Sequence, residues 1–94
     1  MRVGLLTLHF RLYAVDSIKT KRSIVKRMVA DVQRGGPSFA VCEAGSQDDL
    51  SRLTLRVAHL SNDARYTDSS LSRLRDKLDR GDHFEVAESE IEIL

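Results

Sequence analysis

Residues 3–12 read VGLLTLHFRL, and their parity decides the fold. Leu6, Leu8, Phe10 and Leu12 fall on one side, while Leu5, Thr7, His9 and Arg11 fall on the other. That alternation predicts a β-strand with one wholly apolar face. Immediately after it, Asp16 or Ser17 can cap a helix by accepting a hydrogen bond from a free backbone N–H of the first turn. The helix should run to about Arg34, where Gly35-Gly36-Pro37 stops it.

The same signals repeat through the rest of the chain. SFAVCEA, from Ser38 to Ala44, is small and β-prone, and GSQDD, from Gly45 to Asp49, reads as a turn or loop. RLTLRVAHL, Arg52 to Leu60, sets Leu53, Leu55 and Val57 on one side of a central strand. Ser61-Asn62-Asp63 is rich in cap-formers and precedes a second helix with Leu71, Leu74 and Leu78 at helical spacing, ended by Arg80-Gly81. In the final strand, HFEVAESEIEIL, the apolar parity of Phe84 and Val86 shifts before Ile91 and Ile93. A bulge near Ala87 to Ser89, or a frayed edge, would reconcile the halves.

The order is βαββαβ. Short connections and right-handed crossovers make this an α+β, ferredoxin-like split βαβ sandwich: an antiparallel sheet in order 4-1-3-2 with two helices on one face, occupying residues 1–94 as a single domain. With 94 residues, 41% of them apolar and 31% charged, the chain has enough material for one core. Its lone Cys42 excludes an intramolecular disulfide, which fits a reducing cytoplasm. The amino-terminal stretch is too short and too polar for a signal sequence, and no window is long enough to span a membrane.

Net charge is only +1, but residues 1–36 carry +6, residues 37–80 are neutral, and residues 81–94 carry −5. Six of the fifteen basic side chains lie in the first helix. Lys19, Arg22, Lys26, Arg27 and Arg34 share one sector, and Ile18, Val25, Met28, Val29 and Val32 fill the opposite one. That basic side can neutralise several phosphates. Lys19 and Lys21 also stand near the positive end of the helix dipole, where cations gain only when an anion is present. The competing reading is a solvated helix face, since Lys and Arg are good helix formers. Lys21 sits at the edge of the apolar sector, so its stem should pack while its ammonium snorkels to water.

SIKTKRSIVKRMV, Ile18 onward with Ser17 before it, resembles the S-L-K-x-K-R-S-hydrophobic-hydrophobic-K signature of the YlxP-like family of small bacterial proteins of unknown function. AVCEAGSQDDLSRLTLRVAHLSND is similar to that family's middle. The matching positions are Ser17, Lys19, Lys21, Arg22, Ser23, Lys26, Glu43, Asp48, Asn62 and Asp63. The resemblance implies a ferredoxin-like fold, a bacterial cytoplasmic setting and genes often found beside those of translation and ribosome maturation; it implies no established activity. Leu50 departs from the aromatic residue common after the aspartate, so no stacking role carries over there.

An RNA-reading sheet of this topology would show aromatic platforms on its central strands, and these strands lack them. The open sheet face instead carries Val3, Leu5, Thr54, Ala58 and Leu60 beside His9, Arg11 and Arg56, a half-apolar surface of the kind a partner subunit covers. His9 and His59 fall at opposite ends of paired strands, so no metal site is expected, and Cys42 reads as a packed apolar residue. Glu43, Asp48, Asp49 and Ser61 to Asp63 fit capping and turns better than acid–base chemistry. No cofactor is expected, because neither a phosphate loop nor a dinucleotide fingerprint is present.

The leading expectation is a noncatalytic cytoplasmic module that binds structured RNA or the ribosome through Lys19, Lys21, Arg22, Ser23, Lys26 and Arg27. The alternative is a homo-oligomer pairing through the open sheet face. A small enzyme, with Glu43 or Asp63 in a pocket, comes third. All three depend on where the acidic carboxyl-terminal strand lies.

Overall fold

The computed structural model describes residues 1–45 and 47–94; Ser46, within the expected Gly45–Asp49 turn, lies outside the described residues. The elements follow in the order β1 (Arg2–Leu12), α1 (Ile18–Gln33), β2 (Phe39–Ala44), β3 (Arg52–Ser61), α2 (Ala64–Lys77) and β4 (Phe84–Ile93). All strand pairings are antiparallel, and the sheet order is β2-β3-β1-β4. That is the expected order read from the opposite edge.

The sheet and helices bury the residues that parity selects. Leu6, Leu8, Phe10 and Leu12 of β1 meet Leu53, Leu55 and Val57 of β3, with Met28 and Val32 of α1 and Leu71 and Leu74 of α2 above them. Each fully buried aliphatic side chain contributes on the order of 1.5–3 kcal/mol relative to exposure. Gly4 marks the closest approach of β1 and α2: a Cβ there would collide with the methyl of Thr67 and with Leu71. Helix α1 leans on β2, while α2 covers β1, β3 and β4.

The expected bulge is present. Phe10 pairs with Val86 and His9 with Glu88, so Ala87 is the extra residue on β4. The one-residue insertion resets the side-chain alternation. Phe84, Val86 and Ile91 consequently all pack on the core. Glu85, Glu88, Glu90 and Glu92 are left on the open face, opposite the helices, beside Arg11, His9, Thr7 and Leu5 of β1.

One packing expectation fails. Cys42 is exposed, because it pairs with Arg56 on the open face while its neighbour Val41 takes the core side. Among the described residues, no helix is long and apolar enough to cross a membrane.

Candidate nucleic-acid interface

Helix α1 begins with Ser17 in an extended backbone conformation, its Oγ accepting from the Thr20 N–H at 3.1 Å. Ser17, not Asp16, is the cap. The first turn contains no acid and the last turn no base, the reverse of what the helix dipole favours. Lys19 and Arg22 therefore stand at the helix's positive end, where an incoming anion would relieve both.

The sequence-predicted residues divide into three groups. Lys19, Arg22, Ser23 and Lys26 are exposed. They line one shallow groove of about 450 Å³ floored by Val25 and Val29 and bordered by Glu43 of β2. Arg27 is also exposed, but it faces the other flank, beside Asp31, Asp82 and His83. Arg34 is held by Asp31 one turn earlier, its Nη1 bonded to Oδ1.

Lys21 corrects the reading of the basic face. It is 2% exposed, among the largest fully buried side chains. Its Nζ donates to the carbonyl of Asp49 at 2.6 Å and to that of Gln47 at 3.2 Å, with Glu43 Oε2 3.9 Å away. The ammonium does not snorkel, because the β2–β3 loop brings carbonyl acceptors to it inside the protein. Lys21 thus clamps α1 to that loop and lies outside the exposed basic set. The clamp borders a second cavity, of about 290 Å³, shared by Arg22, Glu43, Gln47 and Asp48.

Among the described residues no glutamate of β4 pairs with the helix, although Asp82, just before β4, sits beside Arg27. Among the described residues the ion pairs are Lys21–Glu43, Arg34–Asp31, Arg75–Asp76 and Arg80–Glu85. None joins α1 to β4. The Lys19, Arg22 and Lys26 side of α1 and the glutamates of β4 accordingly occupy different surfaces: α1 lies above the sheet, and Glu85, Glu88, Glu90 and Glu92 lie below it.

The remaining polar candidates behave as turns, caps and core. Asp49 Oδ1 accepts from both the N–H and the hydroxyl of Ser51, and those bonds hold its carboxyl below the usual range. Asp63 caps α2 by accepting from the Arg65 N–H at 2.9 Å. His59 is buried between Phe39 and Tyr66, with Nδ1 3.0 Å from the Thr67 hydroxyl, which in turn lies 2.6 Å from that of Ser61. Desolvation pushes the His59 pKa below its ordinary value. His9 pairs with Thr54 at the other end of the sheet and is exposed, whereas His59 pairs with Gly4 on the core side. Among the described residues, no group of three or more His, Cys, Asp or Glu side chains converges as a metal site. The open sheet face offers no aromatic on β1 or β3, since Phe10 is buried in the core.

Comparison with known proteins places this geometry. Residues 3–91 match the family described as "Protein of unknown function (DUF503)". No curated protein matches the chain. Among solved structures, the de novo designed protein Foldit4 is 17% identical over 100% of this chain and 94% of its own, with a TM-score of 0.55. The de novo designed protein LFR1 1, with a ferredoxin fold, is 16% identical over 100% of this chain and 83% of its own, with a TM-score of 0.53. SnoaB, a cofactor-independent oxygenase from Streptomyces nogalater, is 15% identical over 99% of this chain and 90% of its own; its TM-score of 0.48 carries no functional argument. The two designed proteins show the ferredoxin-like fold alone, at identities that say nothing of activity.

Proposed function

The chain belongs to the DUF503 family, and we propose that it is a noncatalytic binding module that holds structured RNA, or an RNA surface of the ribosome, through α1. The observation that carries the reading is the groove in which Lys19, Arg22, Ser23 and Lys26 meet without a β4 carboxylate among them. Three cations in one groove offer contacts to several phosphates. The Ser23 hydroxyl adds a donor, and the apolar floor of Val25 and Val29 lets a ribose or base edge approach. Arg27 stands on the far flank beside Asp31 and Asp82 and contributes less. Recognition would rest on backbone charge and shape, as suits a fold without stacking platforms.

Two further observations support a binder over a catalyst. The groups whose titration is displaced, Tyr13, Asp49 and His59, sit in three separate places, and each displacement follows from a local bond or burial. Glu43, the acid nearest the groove, is turned toward the Lys21 clamp. The YlxP-like resemblance of Ser17 through Lys26 supports a cytoplasmic, translation-linked setting.

The test is fluorescence anisotropy with a labelled RNA hairpin, comparing the intact protein with the Lys19→Ala/Arg22→Ala/Lys26→Ala variant. The reading expects the variant to bind at least about tenfold more weakly while melting at no lower a temperature. Equal binding by both proteins would overturn it.

A further inference from the structure

The strand register gives the open sheet face a charge pattern that composition conceals. On the β3 side of β1 the face bears Arg52, Thr54, Arg56, Ala58 and Leu60, with no acid. On the β4 side it bears Glu85, Glu88, Glu90 and Glu92, with no base. The face is therefore antisymmetric about β1. The rows are explicit: Arg56 and Glu90 flank Thr7, Ala58 and Glu92 flank Leu5, and Leu60 flanks Val3 on one side. On the other side of Val3, Leu94 donates its N–H to the Val3 carbonyl.

We infer that this face binds a second copy of the same chain, sheet against sheet, about a two-fold axis running along β1. Such an axis exchanges the two flanks and keeps each row at its own height. Arg56 of one copy then faces Glu90 of the other, and Glu90 faces Arg56. At one end of the strands Leu60 meets Leu94 of the second copy, and Val3 lies on the axis. An isologous interface requires such self-complementarity. The Arg56–Glu90, Arg52–Glu85 and Leu60–Leu94 rows supply it, while Glu88 and Glu92 face Thr54 and Ala58 at neutral rows and His9 and Arg11 lie near the axis.

Three properties of the face fit that occupant. Arg56 and Glu90 are both exposed, and among the described residues neither takes part in an ion pair within the chain. They stand two strands apart, roughly 10 Å between backbones, a distance similar to the separation of stacked sheets. Leu60 and Leu94 are 47% and 62% exposed, so the apolar end of the face lacks cover. Strands of about ten residues at the usual spacing project a face on the order of 500–600 Å², approaching the roughly 800 Å² that a standard interface takes from each partner. Four glutamates on the same surface disfavour a polyanion there. Glu85 contributes least, because Tyr13 and Arg80 already engage it.

This surface is opposite α1, so the inference stands apart from the RNA reading. Sedimentation equilibrium of the full chain at low salt tests it, with circular dichroism recording the fold. The intact protein should be a dimer that weakens as salt rises. Arg56→Glu and Glu90→Arg should each weaken dimerisation by about tenfold or more, since each sets like charges face to face. The combined Arg56→Glu/Glu90→Arg variant should recover it, a rescue that neither misfolding nor a different interface can imitate. A monomer at millimolar concentration overturns the inference, as does a dimer indifferent to both single changes or one that the combined variant fails to restore. The Lys19→Ala/Arg22→Ala/Lys26→Ala variant should dimerise as the intact protein does, whether or not it binds RNA.

Discussion

Lys19 and Lys21 stand two positions apart on one helix and meet opposite fates. Two residues turn the helix through about 200°, enough to carry a side chain from water into the core. Lys19 joins Arg22 and Lys26 on an exposed groove, contributing little to the fold. Lys21 is sealed between α1 and the β2–β3 loop, held by two carbonyls and facing Glu43. The contrast separates what a cation does for stability from what it does for binding. A buried ammonium is tolerated only where acceptors surround it, and removing it then strands those acceptors. An exposed ammonium near a helix amino terminus is mildly unfavourable until an anion arrives.

The sharpest break in this contrast comes from inside. Lys21→Met keeps the packed stem but leaves the Gln47 and Asp49 carbonyls without their donor, and it should cost about 2–4 kcal/mol in urea unfolding. A cost below about 0.5 kcal/mol would mean that the clamp is not structural. On the outer side, the Lys19→Ala/Arg22→Ala/Lys26→Ala variant should leave the urea midpoint unchanged or slightly raised, because alanine is the better helix former and like charges near the dipole are removed. Loss of stability there would erase the distinction between the two sides.

Both sides depend on the turn that starts the helix. Ser17→Ala removes the acceptor for the Thr20 N–H and should cost about 1 kcal/mol. Calorimetry would show it as a lowered melting temperature, with the groove's RNA affinity falling only as far as the first turn frays. Ser17→Asp should restore the cap and also add an acid beside Lys19, so it should rescue stability while weakening RNA binding.

The smallest effect concerns another buried polar side chain, His59. His59 has its pKa lowered by burial from an ordinary value near 6.5. Above that value both folded and unfolded states are neutral, and stability is flat with respect to this group. As pH falls below it, the unfolded chain takes up a proton that the folded state refuses, so stability declines until the lowered folded value is passed. His59→Asn should flatten the dependence just below about pH 6.5, measured by urea midpoints. An unchanged slope would assign that sensitivity to groups other than His59, and not to the Asp49 carboxyl. That carboxyl's lowered pKa makes its own contribution fade only at more acidic pH, below its ordinary value of 3.8.

Most of the architecture was legible in the sequence because its signals are local. The parity of Leu6, Leu8, Phe10 and Leu12 marked the buried side of β1, the Ser17 and Asp63 caps marked both helix starts, and the broken parity around Ala87 marked the bulge. The site was legible only in part. Helical angle alone separates Lys19, Arg22 and Lys26 from the core, and it flagged Lys21 as borderline. The acceptors that decide Lys21 are backbone carbonyls more than twenty residues away, which no side-chain pattern announces. Likewise, Cys42 looks like core by composition and is exposed because Val41 claims the inward position of a short edge strand. The separation of the α1 cations from the β4 glutamates, and the antisymmetry of the open face, required the strand register.

The central claim is that α1 presents an uncompensated set of cations to a polyanion, and the most direct measurement is the salt dependence of RNA binding. The logarithm of the association constant, plotted against the logarithm of salt concentration, should fall with a slope of about −2 to −3 for the intact protein, as three phosphate contacts require. The slope should approach zero for the Lys19→Ala/Arg22→Ala/Lys26→Ala variant. A flat response in the intact protein, or the same steep slope in both, would contradict the account.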